Sequence, residues 1–363
     1  MDPQPVTWTT WTHPEEFPLK LGGSLPSVTL AYETWGKLNA ARDNALVVLH
    51  SLSLSSHARS SELHPHPGWW EEFFDPKGPV SHERFFIICA NLLGGCYGST
   101  GPTTVEPTTG RKPMINFPPI ALEDMVNAYR LLLAHLGVRE GLTLAGGSMG
   151  GMLALSWGAQ FPDEVARILV FAAQGRSYPQ TIALRSVQRE AILNDPDWQN
   201  GWYSDQRFPA RGLALARKIG IITYRSDREF QERFRRDVRD PRPHFLEGKF
   251  QIQSYLDHQG AKFIKRFDAN SYLYYSRAMD LFDLGEGFPS FEEGVRRIRS
   301  RALLVAFDTD ILCPAYQVEE VHRVLAAAGR DSHYALIPTI HGHDAFLLET
   351  AKVHREVARF LGP

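Results

Sequence analysis

The segment Leu142-Thr-Leu-Ala-Gly-Gly-Ser148-Met149-Gly150-Gly151, continuing as Met152-Leu-Ala-Leu-Ser-Trp157, constrains the fold more than any other stretch of the chain. A short apolar run of strand length enters a Gly-x-Ser-x-Gly turn and leaves in a helix-forming sequence. So tight a turn accepts only small neighbours, and it exposes the hydroxyl of Ser148 at the end of a buried strand. Taken alone, the pattern also fits an ordinary glycine-rich connection, so its meaning depends on the residues downstream.

Apolar segments of strand length recur along the chain at 44–50, 84–90, 142–145, 167–172, 302–307 and 334–337. Several are unbroken, as parallel strands covered on both faces require. Between the second and third, 121–136 repeats its apolar residues at helical spacing and is closed by Gly137. This alternation predicts an α/β architecture with a mostly parallel central sheet and helices on both faces. It lapses from 175 to 300, where charged and aromatic residues gather around helical pieces at 182–193 and 209–219. The expected organisation is one domain in three parts: a core over 1–174, an inserted helical lid over 175–300, and the rest of the core over 301–363. The mixed charges of 227–240 read as a solvated helix face.

Composition removes several function classes. With 363 residues, 39 Lys and Arg against 41 Asp and Glu, and a net charge of −2, no global field favours nucleic acid or an anionic membrane. No stretch of 18 apolar residues occurs, and the first residues lack a basic-then-apolar leader, so a soluble cytoplasmic protein acting on small molecules is expected. Cys89, Cys96 and Cys313 lack metal-ligand spacing and are an odd number, which fits a reducing compartment. His57, His64 and His66 lie close in sequence, but His64 and His66 sit in a proline-interrupted loop with no acidic or cysteine ligand in register, so no metal is expected.

A serine hydroxyl is a poor nucleophile until an imidazole removes its proton and a carboxylate orients that imidazole. Downstream of Ser148 the chain offers both. Asp308-Thr309-Asp310 follows the run 302–307, and His341-Gly342-His343-Asp344 follows the last one. Serine, then acid, then histidine is the order of the α/β-hydrolase fold. Which member of each pair acts stays open at this level, because aspartates after strands also serve as turn residues. An oxyanion hole would combine the Met149 amide with one from the loop after residue 49, at Leu52 or Ser53.

On these and further motifs the chain resembles the homoserine O-acyltransferase branch of the α/β-hydrolase superfamily. The motifs are Asn91-Leu-Leu-Gly-Gly-Cys-Tyr-Gly-Ser-Thr-Gly-Pro102, Gly146-Gly-Ser-Met-Gly-Gly151, Gln188-Arg-Glu-Ala-Ile-Leu193, Ala216-Arg-Lys-Ile-Gly-Ile-Ile-Thr-Tyr224, Phe267-Asp-Ala-Asn-Ser-Tyr-Leu273 and Gly342-His-Asp-Ala-Phe346. The resemblance implies Ser148 as nucleophile, Asp310 as orienting acid and His343 as base. It further implies that Arg217 and Tyr224 hold an amino-acid acceptor, Arg217 by its carboxylate, while Asp344 takes its ammonium. No bound cofactor is implied; acetyl-CoA enters as co-substrate, L-homoserine accepts the acetyl group in methionine biosynthesis, and the protein is a homodimer joined through its lid.

The chain also departs from that pattern. His50-Ser-Leu-Ser-Leu54 stands where the homoserine acetyltransferases commonly carry His-Ala-Leu-Thr-Gly, and Ile222-Thr-Tyr-Arg-Ser226 resembles relatives that use serine or succinyl-CoA. Three alternatives therefore stand beside the leading expectation: a serine or succinyl-CoA-dependent acyltransferase, an esterase or thioesterase with water as acceptor, and a catalytically silent interaction module.

Overall fold

The computed structural model describes residues 8–76, 78–106, 109–241 and 246–362. Among these, eight strands form one sheet: β1 (Thr9–His13), β2 (Val28–Trp35), β3 (Ala45–Leu49), β4 (Phe86–Ala90), β5 (Leu142–Gly147), β6 (Val165–Phe171), β7 (Arg301–Phe307) and β8 (Ser332–Ile337). Their order is β1-β2-β4-β3-β5-β6-β7-β8. The six strands from β4 to β8 in that order pair in parallel, whereas β1 and β2 are antiparallel additions at one edge. Apolar runs mark the six parallel strands but not this edge, whose residues mix threonine, tyrosine and glutamate with apolar side chains.

Every residue of β3 and β5 is buried, which is why those strands read as continuous apolar sequence. Helix α1 (Leu122–His135) is fixed at its start by the Asp124 carboxylate, which accepts from the Ala121 amide at 2.8 Å. It stops at Gly137, whose φ of 77° suits a residue without a side chain. Helix α2 (Met149–Gln160) leaves β5 and lies in the middle of the molecule, with all but its last residue buried.

Between the neighbouring strands β6 and β7 the chain makes a long excursion through α3 (Pro179–Leu193), α4 (Ala210–Tyr224), α5 (Asp227–Phe234), α6 (Gln251–Phe263), α7 (Ala269–Asp280) and α8 (Phe291–Arg296). The charged segment 227–240 departs from expectation. Its helix ends at Phe234, before a short strand at Val238–Asp240, and Glu229 is buried rather than solvated. That carboxylate accepts from Arg225 and Arg233 at 2.9 and 2.8 Å and pairs with His341 at 3.2 Å. The fold closes with α9 (Ala315–Ala327), α10 (Ala345–Leu348) and α11 (Thr350–Leu361). No helix among the described residues is long and apolar enough to cross a membrane.

Candidate active site

Ser148 sits at the carboxyl end of β5 with φ 54° and ψ −124°, a conformation that costs a non-glycine residue energy and that the flanking β5 and α2 impose. The turn closes only because Gly146 and Gly150 lack side chains. A Cβ on Gly150 would stand 1.9 Å from the carbonyl oxygen of Leu49, and one on Gly146 would stand 2.4 Å from the Gly150 carbonyl carbon.

The loops after β7 and β8 meet this turn. The Ser148 hydroxyl donates to Nε2 of His343 at 2.8 Å, and Nδ1–H of His343 donates to Oδ2 of Asp310 at 2.7 Å. Asp310 is itself aimed by the amides of Leu312 and Cys313, both 2.8 Å from Oδ1. The two competing candidates stand elsewhere: Asp308 accepts from the Thr339 amide at 2.8 Å as a turn residue, and His341 faces Glu229. Burial works against a charge on His343, but the adjacent Asp310 carboxylate, through its charge and its hydrogen bond, outweighs this. The imidazole therefore holds its proton above the ordinary 6.5.

The loop beyond β3 is bound closely to the turn. Leu49 of β3 lies level with Gly146 of β5, and the Ser51 hydroxyl donates to the Gly147 carbonyl at 2.8 Å. His50 is wholly buried, and burial lowers its pKa to about 4. Its neutral ring accepts from the Leu92 amide at 3.1 Å and donates to the Ser51 carbonyl at 2.9 Å. The carbonyl oxygens of Leu49 and His50 thus lie close to Gly150 at the amino terminus of α2, where the Met149 amide has no partner four residues back.

From the excursion, Arg217 on α4 reaches the same loop and donates to Ser53 Oγ at 3.3 Å. Its guanidinium lies 5.7 Å from the ring centroid of Tyr224 and 5.0 Å from that of Phe263, and its buried Nε has no hydrogen-bond partner. The Tyr224 ring is 6.0 Å from that of His343. Asp344 is part-buried, and desolvation raises its pKa despite Arg225, whose guanidinium is 3.1 Å away. Tyr224 and Asp344 therefore adjoin His343, and Arg217 lies against Tyr224.

The profile of the α/β-hydrolase fold matches residues 44–339. The homoserine O-acetyltransferase of Moorella thermoacetica is 46% identical over 346 residues, which span 94% of this chain and 92% of that protein. The chain belongs to the homoserine O-acetyltransferase family. A solved homoserine O-acetyltransferase from Bacillus anthracis superposes with a TM-score of 0.91 at 25% identity, covering 99% of this chain and 98% of that one. Esterase E22 superposes almost as well, with a TM-score of 0.90 at 26% identity over 98% of this chain and all of that one. The backbone alone thus does not separate transfer from hydrolysis; the side chains around His343 must.

Within this family frame, two features escape sequence reasoning. Arg225 pairs with Asp344, so that carboxylate already has one cationic neighbour. Arg266, which lies just beyond α6, donates to the Ser53 carbonyl at 2.7 Å and to the Tyr97 hydroxyl at 3.2 Å, fastening the excursion to the loop beside Ser148. Its position immediately before Phe267-Asp-Ala-Asn is the only sequence signal for it. Beside that loop opens a cavity of about 490 Å³ whose lining includes Leu54, Trp69, Arg217, Lys262 and Arg266.

Proposed function

We propose that the protein transfers an acetyl group from acetyl-CoA to the side-chain hydroxyl of L-homoserine, a reaction of methionine biosynthesis, by a two-step acyl-serine mechanism. Ser148 Oγ attacks the thioester carbonyl as its proton passes to Nε2 of His343; Asp310 stabilises the imidazolium. The developing oxyanion is met by the Met149 amide and by Leu52 or Ser53, and each such donor contributes about 10²–10³ in rate. Collapse expels CoA, whose sulfur takes the proton from His343, and leaves acetyl-Ser148. Homoserine then binds, His343 removes its hydroxyl proton, and the alkoxide takes the acetyl group while Ser148 recovers a proton.

One observation carries transfer over hydrolysis: the half-buried Arg217, with an unpartnered buried Nε, lies against the Tyr224 ring that neighbours His343 and within electrostatic reach of Asp344. A hydrolase needs neither charge. A guanidinium grips an amino-acid carboxylate through two bonds, and Asp344 suits its ammonium. The cations bordering the 490 Å³ cavity, Arg217, Lys262 and Arg266, support phosphates of CoA as its occupant. The segment 175–300 then acts as a lid that carries the acceptor residues, between core parts 1–174 and 301–363. Val187, Leu215 and Ile222, exposed on α3 and α4, support a homodimer joined through that lid, and the three unpaired cysteines support a cytoplasmic setting.

Mass spectrometry after mixing with acetyl-CoA tests the reading. Acetyl-Ser148 should accumulate without acceptor and vanish on adding L-homoserine. Loss at the same rate in water alone would indicate an esterase. Crossing L-homoserine and L-serine with acetyl-CoA and succinyl-CoA in a steady-state assay fixes acceptor and donor.

A further inference from the structure

The fold brings a buried carboxylate from a distant strand to the histidines at 57 and 64. Glu33, on the edge-side strand β2, is almost fully buried, and its Oε2 lies 3.1 Å from Nδ1 of His57 and 3.1 Å from Nδ1 of His64. The ligand atoms of all three side chains fall within 4.8 Å of one another. Nε2 of His57 lies 2.9 Å from the carbonyl oxygen of His66. With its Nε2–H donated there, a neutral His57 turns its Nδ1 lone pair toward the carboxylate of Glu33, an arrangement that a cation between them resolves. Donation of the far ring nitrogen to a backbone carbonyl is also what fixes the ring of a metal-ligating histidine. The Ser56 hydroxyl, 3.3 Å from the other oxygen of Glu33, supports the carboxylate in the same way.

Ligands bound to a tetrahedral Zn²⁺ at about 2.0–2.2 Å lie roughly 3.3 Å apart, close to the Glu33–histidine spacings. A second cavity of about 490 Å³ borders Glu33 and His64, leaving room for water in the open coordination position. We propose that Glu33, His57 and His64 form a three-ligand site for a divalent transition metal of the Zn²⁺ class. Bound there, the metal ties the loop 53–70 to the sheet. Because His57 also borders the Arg217–Lys262–Arg266 cavity, the metal braces one wall of that cavity without touching Ser148. The site stands apart from the acyl-transfer reading.

The test uses the full-length protein, stripped with EDTA, dialysed and titrated with Zn²⁺ against a chromophoric chelator, with Co²⁺ as a spectroscopic substitute. One equivalent should bind, and Co²⁺ should give a visible tetrahedral absorption band. Glu33→Gln and His64→Ala should each weaken Zn²⁺ binding by at least the roughly 100-fold that loss of an outer-shell partner can cost. Circular dichroism checks that both variants remain folded. In the parental protein, Zn²⁺ but not Mg²⁺ should shift the Nδ1 resonances of His57 and His64, a readout that needs no variant. Absence of stoichiometric uptake, uptake unchanged in both variants, or unshifted Nδ1 resonances would overturn the site and leave a proton-bridged histidine–carboxylate pair in its place.

Discussion

The central sheet and the excursion between Phe171 and Arg301 are held together by different physics. The sheet is apolar throughout its middle strands, with every residue of β3 and β5 buried. The excursion shares the apolar core through residues such as Ile192, Leu213, Phe263 and Tyr275, but adds to it paired buried polar groups: Tyr272 donates to Gln188 at 2.6 Å, Arg185 to Asp280 at 2.6 Å, Trp198 to Asn270 at 3.0 Å and Tyr203 to Asp268 at 2.5 Å. An apolar interior makes a rigid platform, and the loops at its strand ends carry Ser148, Asp310 and His343. A hydrogen-bonded interior is directional, and it carries Arg217 and Tyr224. On the proposed mechanism, acylation falls to the sheet and acceptor choice to the excursion.

Changes in the two regions should therefore fail differently. The largest effect is expected from Ser148→Ala, which should lower kcat by about 10⁶-fold and abolish the acetyl adduct, with the unfolding midpoint nearly unchanged. Turnover at the parental rate would remove Ser148 from the mechanism and with it the role given to the sheet. Next comes Gly150→Ala. Its methyl group would overlap the Leu49 carbonyl, so it should cost about 3 kcal/mol in urea unfolding as well as activity. An active, stable variant would show that the turn relaxes.

Arg217→Ala sharpens the other side of the comparison. Loss of a charge-assisted contact of about 1.5–3 kcal/mol should slow deacylation by homoserine roughly 10- to 100-fold while leaving acylation by acetyl-CoA close to parental, as stopped-flow release of CoA would report. Equal loss in both steps would place Arg217 in the acylation machinery instead, through Ser53. The smallest effect concerns pH. His343 acts as base only when unprotonated, and because its pKa is raised, the acid limb of kcat/KM should lie above 6.5. Asp310→Asn removes the charge that holds that proton and leaves burial dominant, so the limb of the residual activity should move to lower pH. A limb that stays in place in that variant would belong to another group.

The sheet was more legible than the excursion for the same physical reason. Buried parallel strands must be continuously apolar, so the interior strands stand out, and the outer strand Ser332–Ile337 shows through its short run 334–337 although only Ile337 there is buried. The edge strands Thr9–His13 and Val28–Trp35 do not, because they alternate polar and apolar residues. In 227–240 the charges suggest a solvated face, yet Glu229 is buried, since burial of a carboxylate depends on whether cations from other turns reach it. The resemblance to homoserine acyltransferases, rather than residue patterning, singled out Arg217 and Asp344; the pairing of Asp344 with Arg225 lay outside both.

By itself, the sequence determined the fold class, the turn that presents Ser148 and the order of acid and base downstream of it, because strand burial and glycine requirements are local in the chain. Strand order alone left Asp308 and Asp310, and likewise His341 and His343, as equals, and the family resemblance then favoured Asp310 and His343. The physical reason lies in the tertiary structure, which directs Asp308 to the Thr339 amide and His341 to Glu229 and sets His343 between Ser148 and Asp310. The same holds for Glu33, which reaches His57 and His64 from 24 and 31 residues away. Hydrogen bonds and ligand sets depend on distances of a few ångströms between residues remote in sequence, and those distances exist only once the sheet has assembled.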